Sequence, residues 1–355
     1  MRILFIAVLL LIVLIVCLLP IGIGWGVAAL QRSSAWWTIS WRTAGGAASA
    51  AVMAALCYGL LLGPDRLVTT SYTYAHSEVP QSFDGYRIVQ LSDWHLGTFA
   101  DRRERVERVV EHVNALKPDL IVFTGDLVNH SVEEAEAFED VLSRLRAADG
   151  VVSVMGNHDY MMYNPQFSRR ERQANVERLQ QLQRRMGWRL LLNGHVCIHR
   201  GADSIVIAGT ESNGNGLKVS HYERLLKKSY EGVSPQGFHV LLSHYPTYWR
   251  SHVLPQSPAI LQLAGHTHAM QFQIGGWSPA AWMYDEWYGL YDAKHTDADT
   301  DADHDANHDA DAVSGATGRH SQRRSLIVSR GVGSVGLAFR LGAWPEVVEI
   351  RLKRV

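Results

Sequence analysis

Two stretches near the N-terminus are almost entirely apolar. Residues 3–31 and residues 43–64 contain no Asp, Glu, Lys or Arg. A helix needs roughly 20 apolar residues to cross the hydrocarbon core of a bilayer, so the pattern predicts two transmembrane helices, at about 3–30 and 43–63. The second stretch is rich in Ala and Gly, and a soluble, close-packed helix is its alternative. Residues 1–64 are therefore expected to be a helical hairpin that anchors the protein.

Arginines lie on both sides of this predicted hairpin. The loop between the stretches contains Arg32, Arg42 and three tryptophans, which is typical of a membrane–water boundary. The opposite side carries Arg2 and Arg66. The two sides balance, so the positive-inside rule assigns neither face to the rest of the chain. We expect a multi-pass protein of the plasma (inner) membrane.

After residue 64 the pattern becomes that of a mixed α/β domain. Residues 65–83 are interpreted as a linker or first strand, and 84–355 as one large domain. Short apolar runs alternate with helical patterns, which favours stacked sheets flanked by helices. The predicted strands are 87–92, 120–124, 151–155, 189–193, 196–200, 204–209, 238–243, 259–264, 325–330 and 346–352, and the predicted helices are 101–116, one beginning at a Ser131-x-x-Glu134 capping box, and 166–186.

Composition narrows the function classes. The chain has 355 residues, a net charge of −1 and three cysteines, which excludes a disulfide scaffold and a multi-cysteine zinc module. Residues 295–312 contain seven Asp and no Lys or Arg, so the remainder carries +6. That charge is too weak to indicate nucleic acid. The composition of residues 295–324 predicts a low-complexity, disordered surface insertion. The alternative is that its Asp and His side chains bind metal ions weakly.

Polar side chains follow five of the predicted strands at the point where each strand ends. Ligands of open α/β sheets bind beyond the carboxyl ends of the strands. Each motif alone would be a turn or a buried histidine, but their joint occurrence indicates one site. The motifs are Asp93-Trp94-His95, Gly125-Asp126, Gly156-Asn157-His158-Asp159, His244 and Gly265-His266-Thr267-His268.

The chemistry of these side chains indicates a two-metal site. Mixed carboxylate, imidazole and amide ligands suit Mn, Fe or Zn, with Mn favoured, over Ca or a thiolate-bound metal. Seven candidate ligands exceed the need of one catalytic ion, and they fit two ions about 3.5–4 Å apart that share a carboxylate. Asp126 lies on a middle element and is the natural bridge. Two such ions lower the pKa of a bridging water, and the resulting hydroxide attacks phosphorus.

The same motifs resemble the calcineurin-like metallophosphoesterase superfamily, over essentially all of 84–355 outside the insertion. Phrases similar to 84–93 and 329–333 occur in its bacterial membrane-anchored branch. The resemblance implies an α/β fold, a two-sheet α/β/β/α sandwich, behind the N-terminal transmembrane hairpin. It also implies a metal-dependent phosphoric ester hydrolase of the phosphodiesterase kind.

Matching positions imply the roles of single residues. One ion is held by Asp93, His95, Asp126 and His268, and the second by Asp126, Asn157, His244 and His266. His158 is not expected to be a ligand; it is implied to face the substrate and to stabilise developing charge or protonate the leaving oxygen. Asp159 is implied to orient that imidazole and hold its tautomer. Trp94, Tyr245 and Ala269 depart from the usual pattern, which affects substrate fit and no ligand position.

Aromatic side chains are dense in residues 277–291, which begin nine residues after His268. They either pack the edge of the sandwich or form an amphipathic rim against lipid headgroups. Arg330 is a candidate phosphate contact, and a surface salt bridge is its alternative.

The sequence thus predicts a membrane-anchored enzyme that hydrolyses a phosphodiester or pyrophosphate bond. Its expected partners are membrane lipids and a phosphoester substrate. One hypothesis is that this substrate is a phospholipid or another lipid-linked molecule. A phosphomonoesterase or protein phosphatase shares the same binuclear site. A non-catalytic metal-binding membrane protein is the alternative from another class.

Overall fold

The computed structural model describes residues 2–30, 35–99, 102–211, 219–293 and 323–355. The chain divides into two units, Met1–Gly63 and Pro64–Val355. Each is described by itself below. The predicted insertion at 295–324 lies outside the described residues, apart from its last two positions.

The first unit consists of two helices that pack closely. Helix α1 covers Arg2–Leu30 and helix α2 covers Ala35–Leu61. A Cβ on Gly24 would lie 2.5 Å from the carbonyl oxygen of Trp41, and one on Gly45 would lie 2.5 Å from that of Pro20. Small residues at such positions let helix backbones approach each other.

One part of this unit meets the length and hydropathy requirements of a membrane span. Among the described residues, Thr38–Leu61 has a mean hydropathy of 1.6 and is long enough to cross a bilayer, whereas the apolar helix Cys17–Leu30 is shorter. Helix α2 begins eight residues before the predicted span 43–63 and includes Arg42. That both helices cross a membrane stays a prediction.

The second unit contains two six-stranded sheets. Their strand orders are β1-β12-β2-β3-β4-β5 and β10-β11-β9-β8-β7-β6. Strands β2 to β5 are mutually parallel, and so are β7, β8, β9 and β11. The strands are β1 Val68–His76, β2 Arg87–Leu91, β3 Leu120–Phe123, β4 Val151–Ser153, β5 Trp188–Leu190, β6 Gly194–Arg200, β7 Asp203–Thr210, β8 His239–Ser243, β9 Leu261–Ala264, β10 Gly289–Ala293, β11 Arg324–Val328 and β12 Glu346–Arg354.

Apolar side chains divide this unit into four layers. Alternate residues of both sheets, such as Ile88, Val122 and Leu263, are fully buried in a cluster between the sheets. The other face of the first sheet packs with helices α3 to α6, and that of the second sheet with α7. The helices are α3 Arg103–Ala115, α4 Glu133–Glu136, α5 Glu139–Leu142, α6 Arg169–Arg185 and α7 Val219–Ser229. The predicted two-sheet α/β/β/α sandwich is confirmed.

The helix predicted from Ser131 is wrong in detail. Two four-residue helices, α4 and α5, occupy this region, and the residue before α4 makes no capping hydrogen bond with its side chain. The Glu134 carboxylate accepts hydrogen bonds from the backbone N–H groups of Asn129 (2.5 Å) and His130 (3.1 Å). These bonds hold the loop that follows Asp126. The glutamate of the predicted capping box therefore stabilises a loop of the candidate site.

Candidate metal centre

The carboxyl ends of five strands bring all the predicted site residues to one edge of the sandwich. In the first sheet, Asp93, Asp126 and Asn157 follow the parallel strands β2, β3 and β4. In the second sheet, His244 follows β8 and His266 follows the neighbouring parallel strand β9. The centre is thus assembled from both sheets.

The backbone turns sharply at most of the predicted ligands. Left-handed conformations cost ordinary residues on the order of 1–3 kcal/mol each and concentrate at functional sites. The predicted ligands with positive φ are Asp93 (53°), His95 (46°), Asp126 (61°), His266 (77°) and His268 (50°).

Glycines allow these loops to pack against one another. A Cβ on Gly156 would overlap the Asp126 carboxylate, and one on Gly265 would overlap Ser92 Oγ and the carboxylate of Asp93. A Cβ on Gly331, whose φ is 75°, would lie 2.6 Å from Asp93 Cβ. The glycines of the sequence motifs are therefore required for close approach to the two carboxylates.

Six of the seven predicted ligands form two adjoining groups. In the first, Asp93, His95 and His268 place three ligand atoms within 4.8 Å of one another; in the second, Asp126, His244 and His266 do the same. Asp126 Oδ2 lies 3.1 Å from Nε2 of His244 and 3.6 Å from Nε2 of His95, so it reaches into both. Each group contains three of the four residues of one ligand set that the resemblance implies, and the full assignment stays a prediction.

Burial and charge set the protonation of these groups. Burial lowers the pKa of His95 and that of His266 to about 3, which keeps both imidazoles neutral and their lone pairs free. Burial also opposes the charged form of His244, but the Asp126 carboxylate outweighs it and raises the pKa of His244 to about 9. Burial raises the pKa of Asp93 to about 6. Packing carboxylates and imidazoles so tightly favours a shared cation.

Unpaired ligand atoms show that the site fits divalent metal ions. Oδ1 of Asn157 is buried and makes no hydrogen bond with the described residues, and the buried Nε2 of His244 faces the Asp126 carboxylate at 3.1 Å. Their other polar atoms are occupied: Nδ1 of His244 lies 2.8 Å from the Thr124 carbonyl oxygen, and the Asn157 amide donates to Tyr163 Oη at 3.0 Å. Such outer contacts fix the tautomer and direct the free atom to a metal.

The role predicted for Asp159 is wrong. Its carboxylate accepts four backbone N–H bonds, from Gly156 (2.9 Å), Asp126 (2.9 Å), Leu127 (2.7 Å) and Val128 (3.3 Å). Nδ1 of the His158 imidazole lies instead 2.9 Å from the backbone carbonyl oxygen of Asn129. Asp159 therefore ties together the loops after β3 and β4 and does not orient the imidazole.

His158 lies beside both groups. Its backbone N–H donates to Asp126 Oδ1 at 2.8 Å, and its ring stacks on Tyr163 with centroids 4.3 Å apart. One of its ring nitrogens also lies within 4.8 Å of a ligand atom of His95 and of one of Asp126. The structure thus allows a proton-transfer role and a ligand role for this side chain.

Sequence reasoning missed three residues that contact the predicted ligands. Tyr284 Oη lies 3.3 Å from Nε2 of His266, and Arg340 Nη2 lies 3.1 Å from Nδ1 of His268. Tyr163 contacts Asn157, as described above. Tyr163 follows the third motif by four residues and could have been considered, whereas Arg340 is 72 residues from its partner and gives no local signal.

Arg330 is buried and ion-paired. Its guanidinium forms a buried ion pair with Glu346 at 2.9 Å and lies 4.2 Å from the ring centroid of Tyr288. The salt bridge predicted for Arg330 is therefore present, but it is buried and not at the surface, and the contact with phosphate stays a prediction. The pair fixes the turn that packs against Asp93.

Comparison with known proteins agrees with this geometry. Residues 86–270 match the model of the calcineurin-like phosphoesterase family. The chain is 28% identical over 310 residues to the uncharacterized metallophosphoesterase YkuE of Bacillus subtilis, covering 83% of this chain and 89% of that protein.

Two further relatives carry more specific names. The transmembrane protein with metallophosphoesterase domain of Danio rerio is 28% identical over 84% of this chain, which spans 60% of that protein. The UDP-2,3-diacylglucosamine pyrophosphatase LpxG of Chlamydia trachomatis is 40% identical over 106 residues, covering 29% of this chain and 31% of that protein. With its clustered carboxylate and imidazole ligands, the chain belongs to the calcineurin-like phosphoesterase family and is a metal-dependent phosphoester hydrolase.

Proposed function

We propose that the protein hydrolyses a phosphodiester or pyrophosphate bond with two divalent ions, Mn being favoured over Fe or Zn. The observation that carries this proposal is the pair of adjoining ligand groups, with Asp126 Oδ2 lying 3.1 Å from Nε2 of His244 in one and 3.6 Å from Nε2 of His95 in the other. Two ions so placed supply Lewis acidity and an activated water when bound. One ligand set is Asp93, His95, Asp126 and His268, and the other is Asp126, Asn157, His244 and His266.

The residues of the chain give the reaction its geometry. Asp126 Oδ1 accepts the His158 N–H, which leaves Oδ2 for the ligand groups. With the Nδ1–H of His158 donated to Asn129, Nε2 is the free nitrogen of the ring. Once Nε2 also carries a proton, as in the imidazolium form, His158 is placed to give that proton to the leaving oxygen, as general acids do. Tyr163 limits the rotation of the ring by stacking on it.

A membrane-embedded, lipid-linked phosphoester is the substrate that we favour. Helix α2 has the length and hydropathy of a membrane span. One relative is named a transmembrane protein, and another is named a pyrophosphatase of a diacylated nucleotide sugar. These names describe those proteins, and they support a plasma-membrane location and a lipid-linked substrate for this one.

Assays of the purified full-length protein test the reaction. Turnover of mono-, di- and pyrophosphate esters is measured with Mn, Fe or Zn, and bound metal is counted by elemental analysis. We expect two ions and a preference for di- or pyrophosphate esters. A preference for monoesters would instead support a phosphatase. One ion or none in active protein would contradict the two-metal proposal.

Two substitutions test the assignment of roles. Asp126→Asn and His158→Ala are each expected to remove most hydrolysis of an activated phosphodiester while the fold survives. His130→Ala is the matched control, because His130 is exposed and its ring centroid lies 6.5 Å from that of His158. Near-normal turnover in either test variant would overturn the assignment.

A further inference from the structure

An uncharged segment adjoins the metal centre and exposes large apolar side chains. Residues 269–284 contain no Asp, Glu, Lys, Arg or His. We call this segment the apolar loop. Five of its side chains are at least two-fifths exposed: Met270 (46%), Ile274 (64%), Trp277 (43%), Trp282 (78%) and Met283 (66%).

The apolar loop has an internal scaffold that keeps these side chains outside. Ile274 and Trp277 exchange backbone N–H···O bonds of 2.9 and 3.1 Å, which close a tight turn. Ser278 Oγ donates to the Ala269 carbonyl at 2.7 Å, and Ala280 is fully buried beneath the turn. Exposure of the apolar side chains is therefore a property of the folded loop.

Both ends of the apolar loop lie at the metal centre. The loop begins directly after His268, and at its other end Tyr284 Oη lies 3.3 Å from Nε2 of His266. Farther along the chain, Trp287 is buried and Tyr291 Oη accepts from the N–H groups of Trp287 and Tyr288. The aromatic region 277–291 thus divides into an exposed part next to the site and a packed part.

We propose that the apolar loop docks on a phospholipid bilayer and holds the metal centre at the depth of the lipid phosphates. This docking role rests on the proposed function, because it gives a membrane phosphoester access to that site. Trp side chains are enriched at the bilayer interface, and the exposed side chains of the apolar loop itself carry no charge. The edge-to-face pair Trp277–Trp282, with centroids 5.2 Å apart, provides most of the aromatic surface.

Lipid fits the apolar loop better than a protein partner does. A stable protein interface uses about 20–30 residues on each side and a polar rim, whereas this loop has 16 residues and no charge. The connection to the candidate span is also short: α2 ends at Leu61 and β1 begins at Val68. A protein anchored by α2 is therefore tethered directly to a bilayer.

Quenching by brominated lipid tests the docking. The full-length protein is placed at one copy per nanodisc of phosphatidylcholine and phosphatidylglycerol, with or without bromine on the acyl chains. The emission lost on Trp282→Phe gives the signal of Trp282. We expect brominated lipid to quench at least half of that signal and to leave the corresponding signal of Trp188 unchanged, because Trp188 is buried in β5.

A charge in the apolar loop gives the second measurement. Met283→Glu is expected to abolish the quenching of Trp282 and to lower, at least tenfold, the ratio of turnover on a vesicle-borne phosphoester to turnover on a water-soluble diester. An unquenched Trp282 in a protein that hydrolyses the soluble diester would overturn the docking and leave the proposed function standing. Quenching without hydrolysis of any phosphoester would support the docking and contradict the proposed function. Shielding of Trp282 from aqueous acrylamide only when two copies share a nanodisc would make a second copy the occupant and overturn the lipid proposal.

Discussion

Replacing Asp159 by Asn tests whether one buried carboxylate holds the two loops that carry Asp126 and Asn157. Each carboxylate oxygen accepts two backbone N–H groups, at distances between 2.7 and 3.3 Å. The amide of Asn has a single acceptor oxygen, so its NH2 group would face two of those donors. A buried donor without a partner costs about 1–3 kcal/mol. The expected loss of unfolding free energy is therefore about 2–6 kcal/mol.

Urea unfolding followed by tryptophan fluorescence measures this loss, with Mn affinity determined in parallel by calorimetry. Metal affinity is expected to fall as well, because the N–H of Asp126 is one of the four donors. Asp140→Asn is the control, since Asp140 is an exposed partner of Arg103 and such surface pairs contribute little. A loss below about 0.5 kcal/mol with normal metal affinity would refute the role assigned to Asp159.

Three further outcomes are expected. Gly331→Ala should weaken metal binding at least tenfold, because its Cβ would press on Asp93. Gly85→Ala is the control: its φ is 83° and the space around it is open, so it should cost only backbone strain. Equal metal affinities of the two variants in calorimetry would contradict this. Arg340→Lys should lower the free energy of unfolding, measured in urea, by about 2–4 kcal/mol. The reason is that the guanidinium is fully buried and donates to the carbonyls of residues 330, 333 and 343. Unchanged stability would mean that these carbonyls find other donors. Chelation by EDTA should lower the melting temperature, since an ion at 1,000 times its Kd stabilises the folded state by about 4 kcal/mol, and Asp126→Asn should abolish that sensitivity; a melting temperature that ignores EDTA would count against tight binding.

The convergence of the site could be predicted because it depends only on strand order and direction. Parallel strands place their carboxyl ends at one edge, whatever the details of the loops. Asp93, Asp126, Asn157 and His244 each follow a short apolar run, so the sequence shows both the strand and the residue it delivers. The sandwich fold follows from the same alternation of strands and helices.

The role of Asp159 could not be predicted, because it depends on loop conformation. A carboxylate that follows His158 in the sequence can accept hydrogen bonds either from the imidazole or from backbone N–H groups. The left-handed turn at Asp126 directs successive N–H groups toward Asp159, and no residue pattern shows this. Glu134 illustrates the same limit, since its carboxylate turns back to the loop and does not cap a helix. The contact of Arg340 with His268 arises only from tertiary packing.

The division of the ligands between two sheets has a mechanical consequence. His95 comes from the first sheet and His268 from the second, and their Nε2 atoms lie 3.1 Å apart although 173 residues separate them in the chain. An ion bound by both would act as a cross-link between the sheets and would close a very long loop at this edge of the sandwich. If the ion were lost, the two sheets would separate first at the edge that carries the ligands. The apolar interior farther from that edge would stay packed.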